Sequence, residues 1–375
     1  MGIFCDLSKA FDLVDHAILL EKLEFYGIRG TAQQWFKTYL SNRLQRVEIS
    51  GKQGYAISQW ETVKTGVPQG SVLGPLLFLI YINDLPRDSE GVCITLFADD
   101  TSIVVNEANQ GKIKEKINET IDNLNSWFYA NKLYLNIEKT NIMQFTKHKL
   151  DELDNMEITL NTHTINNVSD LNFLGLIVDG RLNWSEHIKK LENRLSSICF
   201  LLRSLREMVD IKIMKMVYYA YFHSIMKYGL EFWGNSSERL NIFLIQKRAI
   251  RIITDSKRTV SCRPLFKSLN IKTMYDDYIL SILKLVKQNE VYYQKNEDIH
   301  NYATRQSYKL RIKQHSSTFY ATGAYNSGLC LYNKLPKHIA LEKDLQKFVK
   351  EIRELFDKKY FYNIGEIYNF LSQLS

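Results

Sequence analysis

The sequence lacks the residue patterns that build zinc sites and disulfide frameworks. It has five cysteines, which are far apart and form no CxxC motif or Cys/His cluster: Cys5, Cys93, Cys199, Cys262 and Cys330. A zinc site needs closely spaced Cys and His ligands, so this class of site is excluded. The wide spacing does not indicate a disulfide framework either.

Long hydrophobic segments, internal repeats and low-complexity tracts are also missing. The longest apolar run, residues 72–82, has 11 residues and contains Gly74 and Pro75. A membrane-spanning helix needs about 20 apolar residues, so this run is too short and too interrupted to cross a bilayer. No signal peptide precedes the first strand-like residues. We therefore expect an intracellular protein without membrane contact, in the nucleus or the cytoplasm.

The positive charge of the chain is concentrated in one stretch. The formal net charge is +8, from 49 Lys and Arg against 41 Asp and Glu. Residues 181–258 contain 15 of these cations and 7 of the acids, so they carry the whole excess. Such a stretch indicates an acidic partner without identifying it.

Strand and helix patterns alternate from residue 1 to about 180, which predicts α+β or α/β packing. Residues 2–5 are typical of a short buried strand, and Ser8 is a candidate cap for a helix that ends at Gly27. The patterns that follow predict a helix or turn over 32–40, a hairpin around Gly51, helices over 71–83 and 113–128, a hairpin that carries Asp99 and Asp100, and a strand over 133–145. Apolar stripes at 188–205 and 214–228 predict helices. From about residue 260 the pattern is mixed and weak.

Asp99 and Asp100 are adjacent carboxylates between the apolar segments 94–97 and 101–105. Neighbouring carboxylates repel each other, and one takes up a proton unless a cation or hydrogen-bond donors keep both ionised. A bound metal ion is one resolution. Most Asp-Asp pairs are solvated turns, however, so the doublet needs further support from the sequence.

Asp6 offers such support, because it ends the first predicted strand. Three carboxylates from two adjacent strands are what a two-metal phosphoryl-transfer site requires, with the cations about 3.5–4 Å apart. Taken alone, Asp6 is better explained as an acidic residue at the start of a helix.

Three further blocks have both a functional and an ordinary structural explanation. The glycines of 65–75 allow a ligand to approach the backbone closely and Gln69 offers an amide, or the block is a simple loop. Lys139 suits the charge of a departing pyrophosphate, or is a solvated turn lysine. The triplet 173–175 suits a nucleic-acid backbone, or belongs to the core.

In this order and spacing the blocks resemble the palm motifs of reverse transcriptases, in particular those of non-LTR retrotransposons of the LINE-like, insect jockey type. The matches to the four successive motifs are residues 6–12, 66–75, 97–100 and 136–140. Residues 173–176 resemble the primer grip of that family. The similarity continues through residues 218–221, 233–234, 246–252 and 332–336.

The resemblance implies an α+β, right-hand polymerase fold. Residues 1–180 are then a palm, in which an antiparallel sheet is backed by helices. Residues 181–258 are a basic helical thumb, and residues 259–375 are a mixed, connector-like region.

The resemblance also implies an RNA-directed DNA polymerase that extends a primer 3′-hydroxyl. Its partners are an RNA template, a DNA primer and deoxynucleoside triphosphates. Two Mg²⁺ ions, or Mn²⁺ in their place, are held by Asp6, Asp99 and Asp100, and the carbonyl of Leu7 completes one metal shell. Lys139 joins the three carboxylates as a catalytic residue.

The implied nucleotide site contains Leu7, Phe11, Gln69 and Gly70. The Phe11 ring lies where a ribonucleotide places its 2′-hydroxyl, which favours a deoxynucleotide. Viral RNA-copying polymerases differ, since they have an acidic residue at that position and usually Gly-Asp-Asp at the doublet. Phe173, Leu174 and Gly175 form the implied primer grip. Sequence-independent contacts to phosphates are assigned to a basic set on the thumb: Lys189, Lys190, Arg194, Arg203, Lys247, Arg248 and Arg251.

The chain departs from the family pattern at both ends. Only five residues precede Asp6, whereas the family has fingers upstream and full elements add an endonuclease. No Cys/His knuckle lies near the C-terminus. We expect a truncated copy without fingers and endonuclease. The alternative to a retained polymerase is an inactive remnant that only binds nucleic acid.

Overall fold

A computed structural model describes residues 1–51, 54–86, 88–89, 91–107, 109–146, 158–160, 163–298, 307–313, 323–357 and 359–374. The chain forms two compact units, Met1–Leu171 and Asn172–Ser375, which we call the first and second unit. Both helices and strands are present, so the expected mixture of helix and sheet is confirmed. Across the described ranges, none of the helices has the length and apolar character that a membrane span needs.

The first unit combines helices with most of the strands. Its helices are α1 (His16–Phe25), α2 (Thr31–Leu40), α3 (Leu73–Ile82) and α4 (Gln110–Ala130). Its strands are β1 (Gly2–Cys5), β2 (Leu44–Gln45), β3 (Glu48–Gly51), β4 (Gly54–Ile57), β5 (Glu61–Thr62), β6 (Asp88–Ser89), β7 (Val92–Phe97), β8 (Asp100–Val105), β9 (Asn141–Met143), β10 (Thr159–Leu160), β11 (His163–Thr164) and β12 (Asn166–Asn167). The predicted hairpin around Gly51 is formed by β3 and β4.

A six-stranded sheet in the order β12-β9-β1-β8-β7-β6 organises the first unit. β1 lies inside this sheet and is antiparallel to β8 on one side and to β9 on the other. One face of the sheet is buried, since Ile3 and Ile103 belong to the same core as Leu19 of α1, Phe78 of α3 and Phe128 of α4. The burial of these large apolar side chains is the main stabilising contribution to this unit.

The first helix begins later than the sequence pattern predicts. Ser8 does not cap it, because the Ser8 amide donates to the carbonyl of Tyr134 and the chain then forms turns. The helix starts at His16, where the Asp15 carboxylate accepts hydrogen bonds from the amides of Ala17 and Ile18. A long-range backbone pairing therefore overrides the local capping signal.

The second unit is mainly helical, after a hairpin that begins at the unit boundary. The hairpin consists of β13 (Asp170–Phe173) and β14 (Leu176–Asp179). The helices are α5 (Ser185–Leu205), α6 (Ile211–Val217), a π-helical segment (Tyr218–His223), α7 (Ser224–Lys227), α8 (Leu230–Trp233), α9 (Arg239–Ile253), α10 (Cys262–Leu269), α11 (Met274–Gln288), α12 (Ala324–Tyr332), α13 (Lys337–Ala340), α14 (Leu345–Leu355) and α15 (Ile364–Ser372), with short 3₁₀ turns at Glu290–Tyr292 and Asn296–Asp298.

Residues beyond 259 show more regular structure than their weak pattern indicates. Their described part forms α10 to α15, together with one isolated bridge between Lys295 and Leu310. A single hydrophobic core contains residues of α5 and α9 as well as Ile279, Phe348 and Ile367 from this later part. Most of these helices have 11 residues or fewer, and irregular segments separate them, so each offers only two or three turns of periodic pattern in the sequence. The separate roles of 181–258 and 259–375 stay predictions.

Close packing at Gly234 leads to a stability prediction. A Cβ atom at this buried glycine would lie 2.4 Å from Cδ2 of Tyr278 and 2.5 Å from the carbonyl oxygen of Leu230. We expect Gly234→Ala to lower the free energy of unfolding by about 3 kcal/mol. The reason is that the Leu230 carbonyl belongs to the backbone and cannot move away from the new methyl group as a flexible side chain can. Urea denaturation followed by circular dichroism measures this change.

The control is Gly111→Ala near the start of α4, where the nearest atom is a side-chain oxygen at 3.3 Å. Alanine favours the helix there, so this variant should match or exceed the parent in stability. Equal stability of the Gly234→Ala protein and its parent would contradict the packing described here.

Candidate functional site

The register of two neighbouring strands brings Asp6 and Asp100 together. The last pair between β1 and β8 is Cys5 with Thr101. Extending this register by one residue places Asp6 opposite Asp100. Directly opposite residues in an antiparallel pair point to the same face of a sheet. Cys5 and Thr101 are buried on the other face, so the two carboxylates share the open face.

Asp99 lies in the tight turn that joins β7 to β8. Phe97 pairs with Asp100, which leaves Ala98 and Asp99 as the turn. Ala98 has a φ of +53°, in the left-handed region that a side chain disfavours by about 1–2 kcal/mol. The short turn that carries Asp99 therefore contains backbone strain at Ala98. Such strain is frequent at functional sites.

The three carboxylates act on one another electrostatically. Burial raises the pKa of Asp100 above its usual value, and the negative charges of Asp99 and Asp6 raise it further. Carboxylate oxygens are the ligands that Mg²⁺ and Mn²⁺ prefer, and a cation would relieve the repulsion. The donor chemistry thus fits a hard divalent ion. Within the described ranges, however, no three His, Cys, Asp or Glu side chains form a group that could hold a metal ion.

The fourth sequence block is paired directly with the first. Leu7 and Leu135 form an antiparallel bridge, flanked by hydrogen bonds from the Asn136 amide to the Asp6 carbonyl and from the Ser8 amide to the Tyr134 carbonyl. These two bonds use the neighbours of Leu7, so the Leu7 carbonyl takes no part in this pairing. Leu7 itself is 4% exposed.

This pairing brings Lys139 to Asp6. The chain turns between Asn136 and Thr140, where the Thr140 amide and hydroxyl both donate to the Asn136 carbonyl. As a result, Nζ of Lys139 lies 3.5 Å from Oδ2 of Asp6, and the Asn136 side-chain amide donates to the same oxygen at 3.4 Å. The lysine is largely exposed, so the ion pair adds little stability and the ammonium group is free to move.

The glycine-rich block packs against the residues that follow Asp6. The amides of Gly66 and Val67 donate to the carbonyls of Val14 and Phe11, and the His16 ring nitrogen Nε2 lies 2.8 Å from the Gly66 carbonyl. Gly66 has a φ of +89°, and a Cβ atom there would lie 2.8 Å from the Asp12 carbonyl oxygen. Only glycine permits this approach, which fixes the loop on the first block.

Asp12 holds Gln69 by a side-chain hydrogen bond. Nε2 of Gln69 donates to Oδ1 of Asp12 at 2.9 Å, and both side chains are exposed. Gly70 follows with a φ of +82°. The sequence analysis assigned no role to Asp12 or His16. The positive φ of Gly66, which makes these contacts possible, is not visible in a sequence.

Phe11 has a well-defined position next to this loop. Its ring stacks on Phe78 of α3, with ring centroids 4.6 Å apart. It is half-buried against the core of the first unit, so one face of the ring is supported and its rotation is restricted.

The residues of the predicted primer grip belong to the second unit, whereas the three carboxylates belong to the first. Leu174 and Gly175 form the two-residue turn between β13 and β14, and both have a positive φ. The Tyr228 hydroxyl donates a hydrogen bond to the Leu174 carbonyl, and its ring lies beneath Gly175. Phe173 is the last residue of β13.

The predicted basic set lies on the surface of α5 and α9, two helices that pack on each other. Lys247 and Arg251 are partly buried, and the rest of this set is exposed. Among the described residues, the only member with an ion pair is Lys189, which lies 3.7 Å from Glu186. The surface of these helices therefore carries positive charge that the chain leaves mostly uncompensated.

Comparison with known proteins gives an independent view of the chain. Residues 1–178 match the family model described as "Reverse transcriptase (RNA-dependent DNA polymerase)". A "Probable RNA-directed DNA polymerase from transposon BS" of Drosophila melanogaster is 28% identical over 73% of this chain and 31% of that protein. The "RNA-directed DNA polymerase from mobile element jockey" of the same species is 25% identical over 74% of this chain and 31% of that protein.

The match therefore spans about a third of the length of these relatives. A solved structure titled as telomerase from Candida albicans with a fragment of telomeric RNA covers 72% of this chain and 51% of that chain, at 10% identity and a TM-score of 0.35. Similarity at that level supports no conclusion about this chain.

The repulsion among the carboxylates leads to a pH-dependent prediction. A raised pKa in the folded state means that Asp100 stabilises the protein most when it is protonated, and this contribution is lost as the pH rises through the raised pKa. Asp100→Asn should therefore raise the free energy of unfolding at pH 8 in EDTA, and with it the thermal midpoint; the gain should be less than about 1 kcal/mol because the group is partly solvated. The gain should vanish near pH 3.

Differential scanning calorimetry at both pH values measures the effect, with the exposed Asp122→Asn on α4 as the control. Addition of Mg²⁺ at pH 8 should reduce or reverse the gain, since the parent carboxylates then bind the cation. A variant that is less stable than its parent in EDTA at pH 8 would rule out net repulsion at this site.

Proposed function

Because residues 1–178 belong to the reverse transcriptase family, we propose that this chain performs RNA-directed DNA synthesis. In this reaction the 3′-hydroxyl of a DNA primer attacks the α-phosphate of a deoxynucleoside triphosphate that is paired with an RNA template, and pyrophosphate leaves. The similarity to RNA-directed DNA polymerases of non-LTR elements supports this proposal. The observation that carries it is the register that puts Asp6 opposite Asp100, beside the Asp99 turn.

Asp6, Asp99 and Asp100 would hold the divalent cations, with the Leu7 carbonyl as a further oxygen ligand. When bound, two such ions neutralise charge on the attacking hydroxyl, the reacting phosphate and the leaving group. Two features of the site support this assignment. The carboxylates of Asp6 and Asp100 share one face at the ends of adjacent strands, beside the Asp99 turn. Burial raises the pKa of Asp100, and the negative charges of Asp99 and Asp6 raise it further.

Lys139 is proposed to compensate charge on the departing pyrophosphate. Its ammonium group lies 3.5 Å from Asp6 and is largely exposed, so it can turn from this carboxylate to a phosphate oxygen without loss of a buried contact. An ammonium group can also give a proton to a leaving oxygen, which is general acid catalysis. The pairing of Leu7 with Leu135 positions this lysine.

Phe11, Gln69 and Gly70 are proposed to position the incoming nucleotide. The Phe11 ring is supported from behind by Phe78, so it cannot yield easily to a 2′-hydroxyl. Gln69 is held by Asp12 and presents an amide that can donate to the sugar or the base. Gly70 has no side chain to obstruct the approach of the ligand.

We propose that the chain has the architecture of a right-hand polymerase. Residues 1–180 form the palm, residues 181–258 the thumb and residues 259–375 a connector-like region. The basic set on α5 and α9 contacts phosphates, and residues 173–175 act as the primer grip. Uncompensated cations on α5 and α9 and the hairpin tip that Tyr228 braces support these roles.

Primer extension tests the proposed activity. The full chain is incubated with poly(rA)/oligo(dT), dTTP and Mg²⁺, and product length is measured on a gel. We expect extension that EDTA abolishes and that Asp99→Asn reduces by at least about 100-fold, because a neutral amide is a poor metal ligand. Asp122→Asn is the matched control and should extend like the parent.

Two results would overturn the proposal. Extension that persists in Asp99→Asn would exclude the assigned carboxylates. A folded chain that binds the template and primer but never extends it, with either metal, would favour the inactive nucleic-acid-binding remnant.

Selectivity for deoxynucleotides tests the role of Phe11. We expect Phe11→Val to raise the use of UTP relative to dTTP by about tenfold or more, since the smaller side chain leaves room for a 2′-hydroxyl. Single-nucleotide extension kinetics with each triphosphate measure the ratio. Phe25→Val is the control, because Phe25 is 81% exposed at the end of α1. An unchanged ratio in Phe11→Val would remove Phe11 from the nucleotide site.

A further inference from the structure

Two open cavities lie on the second unit, among residues to which the sequence analysis gave no binding role. The first has a volume of about 640 Å³ and is lined by Lys212, Lys215, Met216, Tyr219 and Ala220. The second has a volume of about 670 Å³ and is lined by residues of α10 and of the segment before and within α15: Ser261, Arg263, Pro264, Lys267, Lys359, Tyr360, Phe361 and Glu366.

Two tyrosines connect these cavities. Tyr219 lines the first and Tyr360 lines the second. The His223 ring packs edge to face on Tyr219 at 5.2 Å and lies 3.0 Å from the Asp277 carboxylate. The neighbouring Asp276 accepts a hydrogen bond at 3.0 Å from the amide of Phe361, the residue after Tyr360. One series of contacts thus supports both tyrosines, and we call the surface made up of the two cavities the tyrosine track.

Cations alternate with the aromatic rings along the tyrosine track. Lys212 and Lys215 lie on α6, the ammonium group of Lys272 is 5.1 Å from the centre of the Tyr360 ring, and Lys267 and Lys359 line the far cavity. None of these five lysines has an ion pair within the described ranges. Arg263 is paired with Glu366 at 3.0 Å, and the carboxylates of Asp276 and Asp277 are buried. Lys272 also donates to the Phe356 carbonyl at 3.0 Å, and the exposed Asp357 lies three residues before Tyr360. The cations outnumber this carboxylate, so the net charge of the track is positive.

Tyr219 lies on the outer side of the π-helical segment. Tyr218 and Phe222 are fully buried and stack at 5.2 Å, and Tyr218 also receives a hydrogen bond from Gln246. With these two rings in the core, Tyr219 remains 41% exposed. Lys215 and Tyr219 are four residues apart along this helical stretch, so the cation and the ring are neighbours. The ring of His223 supports Tyr219 edge to face at 5.2 Å.

We propose that the tyrosine track binds single-stranded nucleic acid. Lysines contact the phosphates, and unpaired bases stack on Tyr219 and Tyr360. Aromatic faces between cations favour a single strand, because the bases of a duplex are already stacked on each other and do not offer their faces. These residues differ from the basic set on α5 and α9. The inference rests on the proposed function only in that a polymerase supplies a single-stranded template.

Binding of labelled oligonucleotides tests the tyrosine track. Fluorescence anisotropy with the full chain, in EDTA and without nucleotides, measures the affinity for dT12, for rU12 and for a 12-base-pair duplex. Tyr219→Leu/Tyr360→Leu should weaken binding of the single strands by about tenfold or more, whereas Tyr219→Phe/Tyr360→Phe keeps the rings and should bind within about twofold of the parent. Neither pair should change duplex binding. Comparison of dT12 with rU12 shows which sugar is preferred.

Charge is tested separately. Lys212→Ala/Lys215→Ala should reduce the slope of log affinity against log salt concentration by about 1.4, since each phosphate contact of a single strand contributes about 0.7. The control, Lys343→Ala/Lys347→Ala, removes the same charge from exposed lysines that line neither cavity. It should leave the slope unchanged.

Several outcomes would overturn the inference. They are single-strand binding that the Leu pair does not weaken, equal losses in the control lysine pair, and equal losses for single strand and duplex. If the Leu pair does not fold, photocrosslinking of the parent with 5-iodouracil oligonucleotides decides: crosslinked peptides that contain Tyr219 or Tyr360 support the track, and their absence refutes it. If the parent extends primers but the track variants bind single strands as the parent does, only this inference is contradicted. If the track variants lose single-strand binding as expected but the parent does not extend primers, only the proposed polymerase activity is contradicted.

Discussion

The pairing of β1 with both of its neighbours is the constraint on which the candidate site depends. Its register with β8 sets Asp6 opposite Asp100, and its continuation at Leu7 pairs with Leu135 and brings Lys139 to Asp6. A slip of one residue would move Asp6 to the buried face. The core opposes such a slip, because Ile3 and Ile103 are completely buried on that face and one of them would have to leave it.

Folding therefore concentrates negative charge at the ends of two central strands of the sheet. Asp100 is partly desolvated and repelled by Asp99 and Asp6, and Ala98 adopts a left-handed conformation to complete the turn. Both effects oppose stability, and the hydrophobic core beneath the strands offsets them. Under the proposed function, divalent cations bound by these carboxylates would relieve the repulsion.

Each unit supports its own group of polar residues. In the first unit, Gly66 and Gln69 are bonded to the segment after Asp6, so the glycine-rich loop and the first carboxylate belong to one framework. In the second unit, one core holds α5, α9 and the later helices, and its surface carries the cations of the basic set and of the tyrosine track, most of which have no ion pair among the described residues. Positive charge on a rigid helical support suits contact with a phosphate backbone that is independent of sequence.

The sequence by itself determined the chemistry: the types, order and spacing of Asp6, the Asp99-Asp100 doublet, Lys139 and Phe11, as well as the strands, hairpins and helices with a clear period. Its local signals failed at Ser8, which pairs with Tyr134 instead of capping a helix, and beyond residue 260, where most helices are short and irregular segments separate them. Only the tertiary structure decided the pairing of Asp6 with Asp100, the Asp12–Gln69 bond and the outward turn of Tyr219. The physical reason is that strand register, left-handed glycines and the π-helical turn are selected by packing between distant segments, which no local pattern encodes.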